Sequence, residues 1–292
     1  MSWLIVGTVP KTDFPLTHGH VTLNGRELVV NGCSFPVVRG TPALISAAYI
    51  ACMTLEIESP DVLLCGDIGE GDGSRQIYRY LVETGLKQKP YTGLLFHYLQ
   101  PDVDWHNRIL IEIDKLSARP LLMADAGYMY VAKMSGYATS YDLFTPDIGE
   151  LAFLADEKAP HPFYTRGFLL HQDDMAPDQI RLAVRQGNAA RNLLVKGKCD
   201  YIVSDGVIVD VVSSPCVEAM EPVGGTGDSL AGLAASLIAV GLTIPNACSE
   251  AARINRMMGY LANPTPAFAI ADLLKSLPKA ISRTRSIPNA TL

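Results

Sequence analysis

Short apolar runs that stop on glycine or an acid recur along this chain, and that arrangement narrows the fold more than any other feature. Asp61, Val62, Leu63, Leu64 and Cys65 lead straight into Gly66, Asp67, Ile68, Gly69, Glu70, Gly71, Asp72, Gly73 and Ser74. Leu121, Leu122, Met123 and Ala124 end on Asp125, and Asp142, Leu143 and Phe144 end on Thr145. Such continuous apolar runs suit strands buried on both faces, as in parallel sheets. Further strand-like runs lie at 3–6, 27–30, 91–98, 193–196 and 201–204, and 207–212 folds back on the last across Asp205 and Gly206. Helical spacing is read at 41–54, 75–83, 105–115, 129–134, 149–155, 178–194, 229–240, 245–262 and 268–277. Strands alternating with helices predict an α/β fold, a mostly parallel sheet with right-handed crossovers and helices on both faces. Open sheets of this kind bind ligands at the carboxyl ends of their strands. The glycine and acid clusters at 66–74, 125–127, 145–150 and 224–228 are therefore the candidate site.

The chain has 292 residues, of which 48% are hydrophobic and 18% charged, enough apolar content for one large core. We expect a single domain over 1–281, with a hairpin excursion at 1–30 joined at Asn24 and Gly25 and a loose tail at 282–292. Residues 156–177 read as a loop. The net charge of −6 argues against nucleic acid or an anionic membrane as the main partner. It does not exclude a phosphorylated ligand, since backbone dipoles bind phosphate on acidic proteins too. The six cysteines, Cys33, Cys52, Cys65, Cys199, Cys216 and Cys248, contain no C-x-x-C pair and read as reduced residues of a cytoplasmic protein. The first residues lack the basic flank of a signal peptide, and no apolar run reaches the ~18 residues of a membrane span.

Chemistry concentrates at Gly224, Gly225, Thr226, Gly227 and Asp228, which open an apolar helical run. Glycine lets a backbone turn tightly and brings its N–H groups close to a ligand. The first turn of a helix leaves N–H groups unpaired and partly positive, so the two together suit a phosphate. An aspartate there can take a proton from a hydroxyl that is about to receive a phosphoryl group. It can also be an ordinary acid favoured at a helix N-terminus. Small residues Ala231, Gly232, Ala234 and Ala235 would let this helix pack closely on a sheet.

The ordered set of Thr145, Pro146, Gly149 and Glu150, then Lys196 and Gly197, then Gly225, Thr226, Gly227, Asp228, Leu230, Ala231 and Gly232 resembles the ribokinase-like superfamily. Within it the chain is most similar to the ADP/ATP-dependent NAD(P)H-hydrate dehydratase branch, over about residues 26–281. The resemblance implies a three-layer sandwich, ADP or ATP and Mg²⁺ as cofactors, and a small-molecule substrate. It implies Asp228 as catalytic base, an anion hole at Gly225, Thr226 and Gly227, and Mg²⁺ held by Glu150. Lys196, Gly197 and Asn192 would face the nucleotide, with Asn192 and Asn188 on a helix. Asn31, Gly32, Gly66, Asp67, Gly69 and Asp125 would meet the substrate. Gly66, Asp67, Ile68 and Gly69 stand where the branch usually carries a Gly-Pro-Gly-x-Gly loop, which points to a changed substrate. A homo-oligomer is expected by analogy alone.

Other readings stay open. A small-molecule kinase would use the same residues and stop at the phosphoester, and a nucleotide-binding sensor would keep the fold without turnover. Glu150 and Asp125 also suit helix-terminal and turn roles. The acids at 67–72 lack the twelfth-position glutamate of an EF-hand and read as a solvated loop. His97 and His106 lack metal-ligand spacing and read as surface or core histidines, and His18 and His20 as loop residues. There is no Walker lysine motif and no nucleophile elbow.

Overall fold

The first strand, β1 (Trp3–Val9), is buried along its whole length and runs through the middle of the sheet. The computed structural model describes residues 2–159, 175–265 and 267–284. β1 is followed by β2 (Thr17–Asn24), β3 (Glu27–Val30), β4 (Cys33–Pro36), α1 (Thr41–Thr54), β5 (Asp61–Gly66), α2 (Asp72–Glu83) and β6 (Gly93–His97). Next come α3 (Val103–Asp114), β7 (Leu121–Ala124), α4 (Gly127–Met134), β8 (Leu143–Phe144), α5 (Ile148–Ala155), α6 (Ala176–Arg185) and β9 (Asn192–Val195). The chain continues through β10 (Asp200–Ser204), β11 (Val207–Val212), α7 (Thr226–Ala239), α8 (Ile244–Ala262), α9 (Ile270–Leu273) and α10 (Leu277–Thr284).

All the strands join one sheet in the order β11-β10-β9-β8-β7-β6-β1-β5-β2-β3-β4. The block from β5 to β9 is parallel, and antiparallel strands extend it at both edges. Helices cover both faces. α1, α7, α8 and α10 share one apolar core with residues such as Ile5, Val62 and Leu95. α2 to α6 share the other with Leu4, Leu63, Leu94 and Phe96. The strands alternate their side chains between these two layers, which is why their sequences are apolar throughout.

Several expectations are corrected. Residues 1–30 form no separate excursion: β1 is the central strand, and Asn24-Gly25 joins β3 to β2 instead. β2 escaped notice because its sequence, with His18, Gly19 and His20, carries little apolar signal; those histidines lie on a strand. The helix expected over 178–194 ends at Arg185, where Gly187 (φ 71) turns the chain toward β9. α1 opens on Gly40 (φ 84) with no side-chain cap, which leaves the Thr41 hydroxyl for another partner. The small residues of α7 face α1 rather than the sheet, since a Cβ on Gly232 would stand 2.2 Å from the carbonyl oxygen of Leu44. Residues 282–284 finish α10 instead of starting a tail. Most of the loop read at 156–177, and the tail from 285, lie outside the described residues.

Candidate active site

Adjacent parallel strands deliver one polar residue each at their carboxyl ends. β6 ends on His97, β7 is followed by Asp125, β8 by Thr145 and β9 by Lys196. His97, Asp125 and Thr145 are buried, and the Lys196 side chain is only 12% exposed. α7 points its first turn at this row. Gly225 caps it at φ 107, a left-handed backbone that a side chain would strain. Gly224 is exposed and residues 225–228 are half-buried, so the turn faces outward and is not sealed by packing. Two cations flank it. The Arg39 side chain runs along Gly224, and the Lys196 stem lies beside Gly227.

Asp228 is gripped from two sides. Its Oδ2 accepts from the Gly40 N–H at 2.7 Å, and its Oδ1 lies 3.0 Å from His97 Nε2. Burial alone would raise this carboxyl. The hydrogen bond from His97, the Lys196 ammonium and the Gly40 N–H outweigh it and hold Asp228 below the ordinary carboxylate value. The group is thus ionised at neutral pH. Lys196 Nζ donates to Asp125 Oδ1 at 2.8 Å, and the Ala126 N–H donates to the same oxygen. Burial works against the Lys196 charge, but Asp125 and Glu150 keep it protonated well above the usual lysine value. Asp125 Oδ2 and Thr145 Oγ1 are buried and make no hydrogen bond among the described residues.

Glu150 closes a capping box with Asp147: its Oε2 accepts from the Asp147 N–H at 2.8 Å, while Asp147 Oδ1 accepts from the Glu150 N–H. Desolvation, and then the Asp147 charge, push its carboxyl up to about 8. A carboxylate so disfavoured welcomes a hard cation, and an oxygen donor suits Mg²⁺. Among the described residues the one set of three groups arranged as metal ligands is His97, Asp125 and Asp228, within 4.8 Å of one another. That set includes an imidazole engaged with Asp228 and a carboxylate engaged with Lys196, which suits a hydrogen-bonded cluster better than Mg²⁺.

The other expected residues fall in two groups. Gly197 follows Lys196, and its N–H donates to Asp200. Asn192 is not on a helix: it opens β9 at the end away from the site, and its amide donates to the Asp142 carbonyl. Asn188 likewise donates to the Leu154 carbonyl. Asn31 and Gly32 form the exposed β3–β4 turn at the sheet edge, where Asn31 donates to the His18 carbonyl. Asp67 is a loop clamp that accepts from the N–H groups of Gly69, Gly71 and Ser74 and from the Ser74 hydroxyl. Burial would raise it, but those bonds hold its carboxyl low. Gly66 and Gly73 are forced by close approach, since a Cβ on Gly73 would sit 2.1 Å from the Gly66 oxygen. The residues missed from sequence are His97, Gly40, Thr41 and Arg39. The one available signal was that His97 ends an apolar strand-like run, as Asp125 does.

No protein-family model matches the chain. It is 38% identical over 223 residues to the uncharacterized protein MJ1337 of Methanocaldococcus jannaschii, covering 76% of this chain and 91% of that protein. It is 34% identical over 112 residues to the bifunctional NAD(P)H-hydrate repair enzyme Nnr of Hyperthermus butylicus, covering 38% of this chain and 20% of that one. The structure superposes on the ADP/ATP-dependent NAD(P)H-hydrate dehydratase of Bacillus subtilis, crystallised with ATP and Mg²⁺, with a TM-score of 0.59 at 13% identity over 97% of this chain and 92% of that one. No helix among the described residues is long and apolar enough to cross a membrane. With its parallel sheet between two helical layers, the chain has the fold of the ribokinase-like proteins, and it belongs to one family with the Methanocaldococcus jannaschii protein.

Proposed function

We propose that this chain is a nucleotide- and Mg²⁺-dependent enzyme of the NAD(P)H-hydrate dehydratase type. One observation carries the reading: an ionised carboxylate, Asp228, held by His97 and Gly40 in the first turn of α7, beside the half-exposed glycine turn at residues 225–227. Asp228 would take the proton of a substrate hydroxyl as its oxygen bonds to the transferring phosphorus. The amides of Gly225, Thr226 and Gly227, with Arg39 and Lys196 alongside, would stabilise the charge on the moving phosphoryl oxygens. In the second half the carbon–oxygen bond breaks, phosphate leaves with the electron pair, and loss of a proton from the neighbouring carbon restores the ring double bond. Mg²⁺ when bound neutralises phosphate charge, and Glu150 is the residue suited to hold it. The six free cysteines accord with a reducing, cytoplasmic setting.

A small-molecule kinase is the second reading, favoured by the loop at 66–69, where Asp67 is spent on its own backbone. The test is a turnover panel with ADP or ATP, Mg²⁺ and either hydrated NADH or candidate alcohols. Recovery of the reduced-nicotinamide absorbance supports the dehydratase; nucleotide consumption with an alcohol alone supports the kinase. Asp228→Asn should abolish turnover and leave nucleotide affinity within about tenfold, because an amide cannot act as base. Full turnover in that variant removes Asp228 from the chemistry.

A further inference from the structure

His97 has no place in the reading so far beyond keeping Asp228 ionised, yet it is the most constrained side chain in the site. It is fully buried. Its Nε2 faces Asp228 Oδ1 at 3.0 Å and its Nδ1 faces Thr41 Oγ1 at 2.9 Å. Its ring stands edge-on to Tyr98, with centroids 4.4 Å apart. Beneath it, Gly7 has no room for a Cβ, which would meet the His97 carbonyl oxygen at 2.6 Å and the Thr41 methyl at 2.8 Å. The absence of a side chain at Gly7 therefore lets Thr41 and His97 come together.

The chemistry of the partners selects one tautomer. An ionised carboxylate can only accept, so Nε2 must carry the proton. In the neutral ring Nδ1 is then the acceptor, and the Thr41 hydroxyl, which caps no helix, donates to it. We propose that His97 is the positioning residue of this site: backed by Thr41, it presents an Nε2–H that fixes the orientation of Asp228. The role rests on Asp228 being the base. Gly40, His97 and Asp228 come from three distant stretches of the chain, and Gly40 with His97 leaves the carboxylate little rotational freedom. Asp125 Oδ2 lies 3.9 Å from the same Nε2 and lacks a hydrogen bond among the described residues. Without the imidazole N–H, Asp228 Oδ1 and Asp125 Oδ2 would lose the ring donor that faces both.

The test has two arms. ¹⁵N NMR of the histidine rings in the intact wild-type protein at neutral pH needs no substrate. The expected signature for His97 is a protonated Nε2 and a bare Nδ1, and a protonated Nδ1 overturns the proposal. The second arm compares turnover of His97→Phe, which keeps a planar ring without a donor, with His97→Gln, whose amide can donate. We expect kcat to fall on the order of 10²-fold in the first with the nucleotide KM unchanged, and Gln to recover most of that loss. If Asp228→Asn is dead while His97→Phe turns over like the wild type, the positioning role is overturned and Asp228 remains the base. If Asp228→Asn turns over normally, the base assignment fails and the role built on it fails too. Equal loss in the Phe and Gln variants, with nucleotide KM raised in both, marks a merely structural histidine and also overturns it.

Discussion

Replacing Gly232 by alanine should loosen the crossing that assembles this site, although alanine is the better helix former. The new Cβ would stand 2.2 Å from Leu44 O, 3.1 Å from Leu44 C and 3.2 Å from Ala48 N, all backbone atoms of α1 that cannot rotate away. Restoring ordinary contact requires α1 and α7 to part by about 1 Å, and overpacking of this kind costs about 1–3 kcal/mol. Parting also stretches the hydrogen bond from Ser236 Oγ to the Ala48 carbonyl, already 3.3 Å long, a loss of ~1 kcal/mol. Against this, exchanging a helical glycine for alanine gains ~1 kcal/mol. The balance is a destabilisation of about 2 kcal/mol, which for a chain of 292 residues lowers Tm by about 3 °C. Thermal unfolding followed by circular dichroism reads it directly. Gly40 and Asp228 sit at the N-terminal ends of the same two helices, so their 2.7 Å hydrogen bond should weaken and turnover should fall with Tm. An unchanged or raised Tm would refute the close crossing, because propensity would then be the only term acting.

Two further outcomes follow from groups outside the site. His106 is buried between the Tyr141 hydroxyl and Ser135 Oγ, and burial lowers its pKa from 6.5 to about 4. Above pH 6.5 both folded and unfolded chains hold it neutral; as pH falls toward 4 only the unfolded chain takes up the proton, so stability drops by up to about 3 kcal/mol over that window. Denaturant titrations at several pH values should show this slope, and His106→Gln should flatten it. Arg256 Nε holds the buried Asp200 at 2.8 Å and its other nitrogens donate to the carbonyls of Gly197, Lys198 and Ser213. Arg256→Met should cost about 3–5 kcal/mol by leaving Asp200 buried without its partner, measured by urea unfolding.

What could be read from sequence divides along a physical line. Strands buried on both faces and a glycine turn before a helix are local patterns, so the α/β order and the placing of Asp228 in the first turn of α7 were legible. The strands β2 and β4 were not, because a half-exposed strand carries too little apolar signal. Nor was the direction in which α7 packs: small residues announce a close approach, not its target. His97, Gly40 and Thr41 matter only through contacts with residues far along the chain, and no spacing encodes them. Asn192 was misplaced by a single boundary, since a helix extended past Gly187 carries it to the wrong end of a strand.

The loop at 66–74 departs from the branch pattern, and its structure explains how. Its acids suggest a ligand cradle, yet Asp67 meets four donors of its own loop. Each such bond to a carboxylate is worth about 1.5–3 kcal/mol, so a substrate hydroxyl could win Asp67 only by displacing one of them. Neither Gly66 nor Gly73 has room for a Cβ, which would meet the Lys11 oxygen at 1.9 Å in the first and the Gly66 oxygen at 2.1 Å in the second. On the same carboxyl edge of the sheet stands Tyr98, 50% exposed, its backbone at φ 49 and its carbonyl taking the Thr8 hydroxyl. Burial first, then the Asp228, Glu150 and Asp125 carboxylates, raise its phenol well above the usual tyrosine value, so it stays a neutral donor beside three acids. Near Asp228, then, this edge presents an exposed aromatic side chain, while the acid of the altered loop is turned inward.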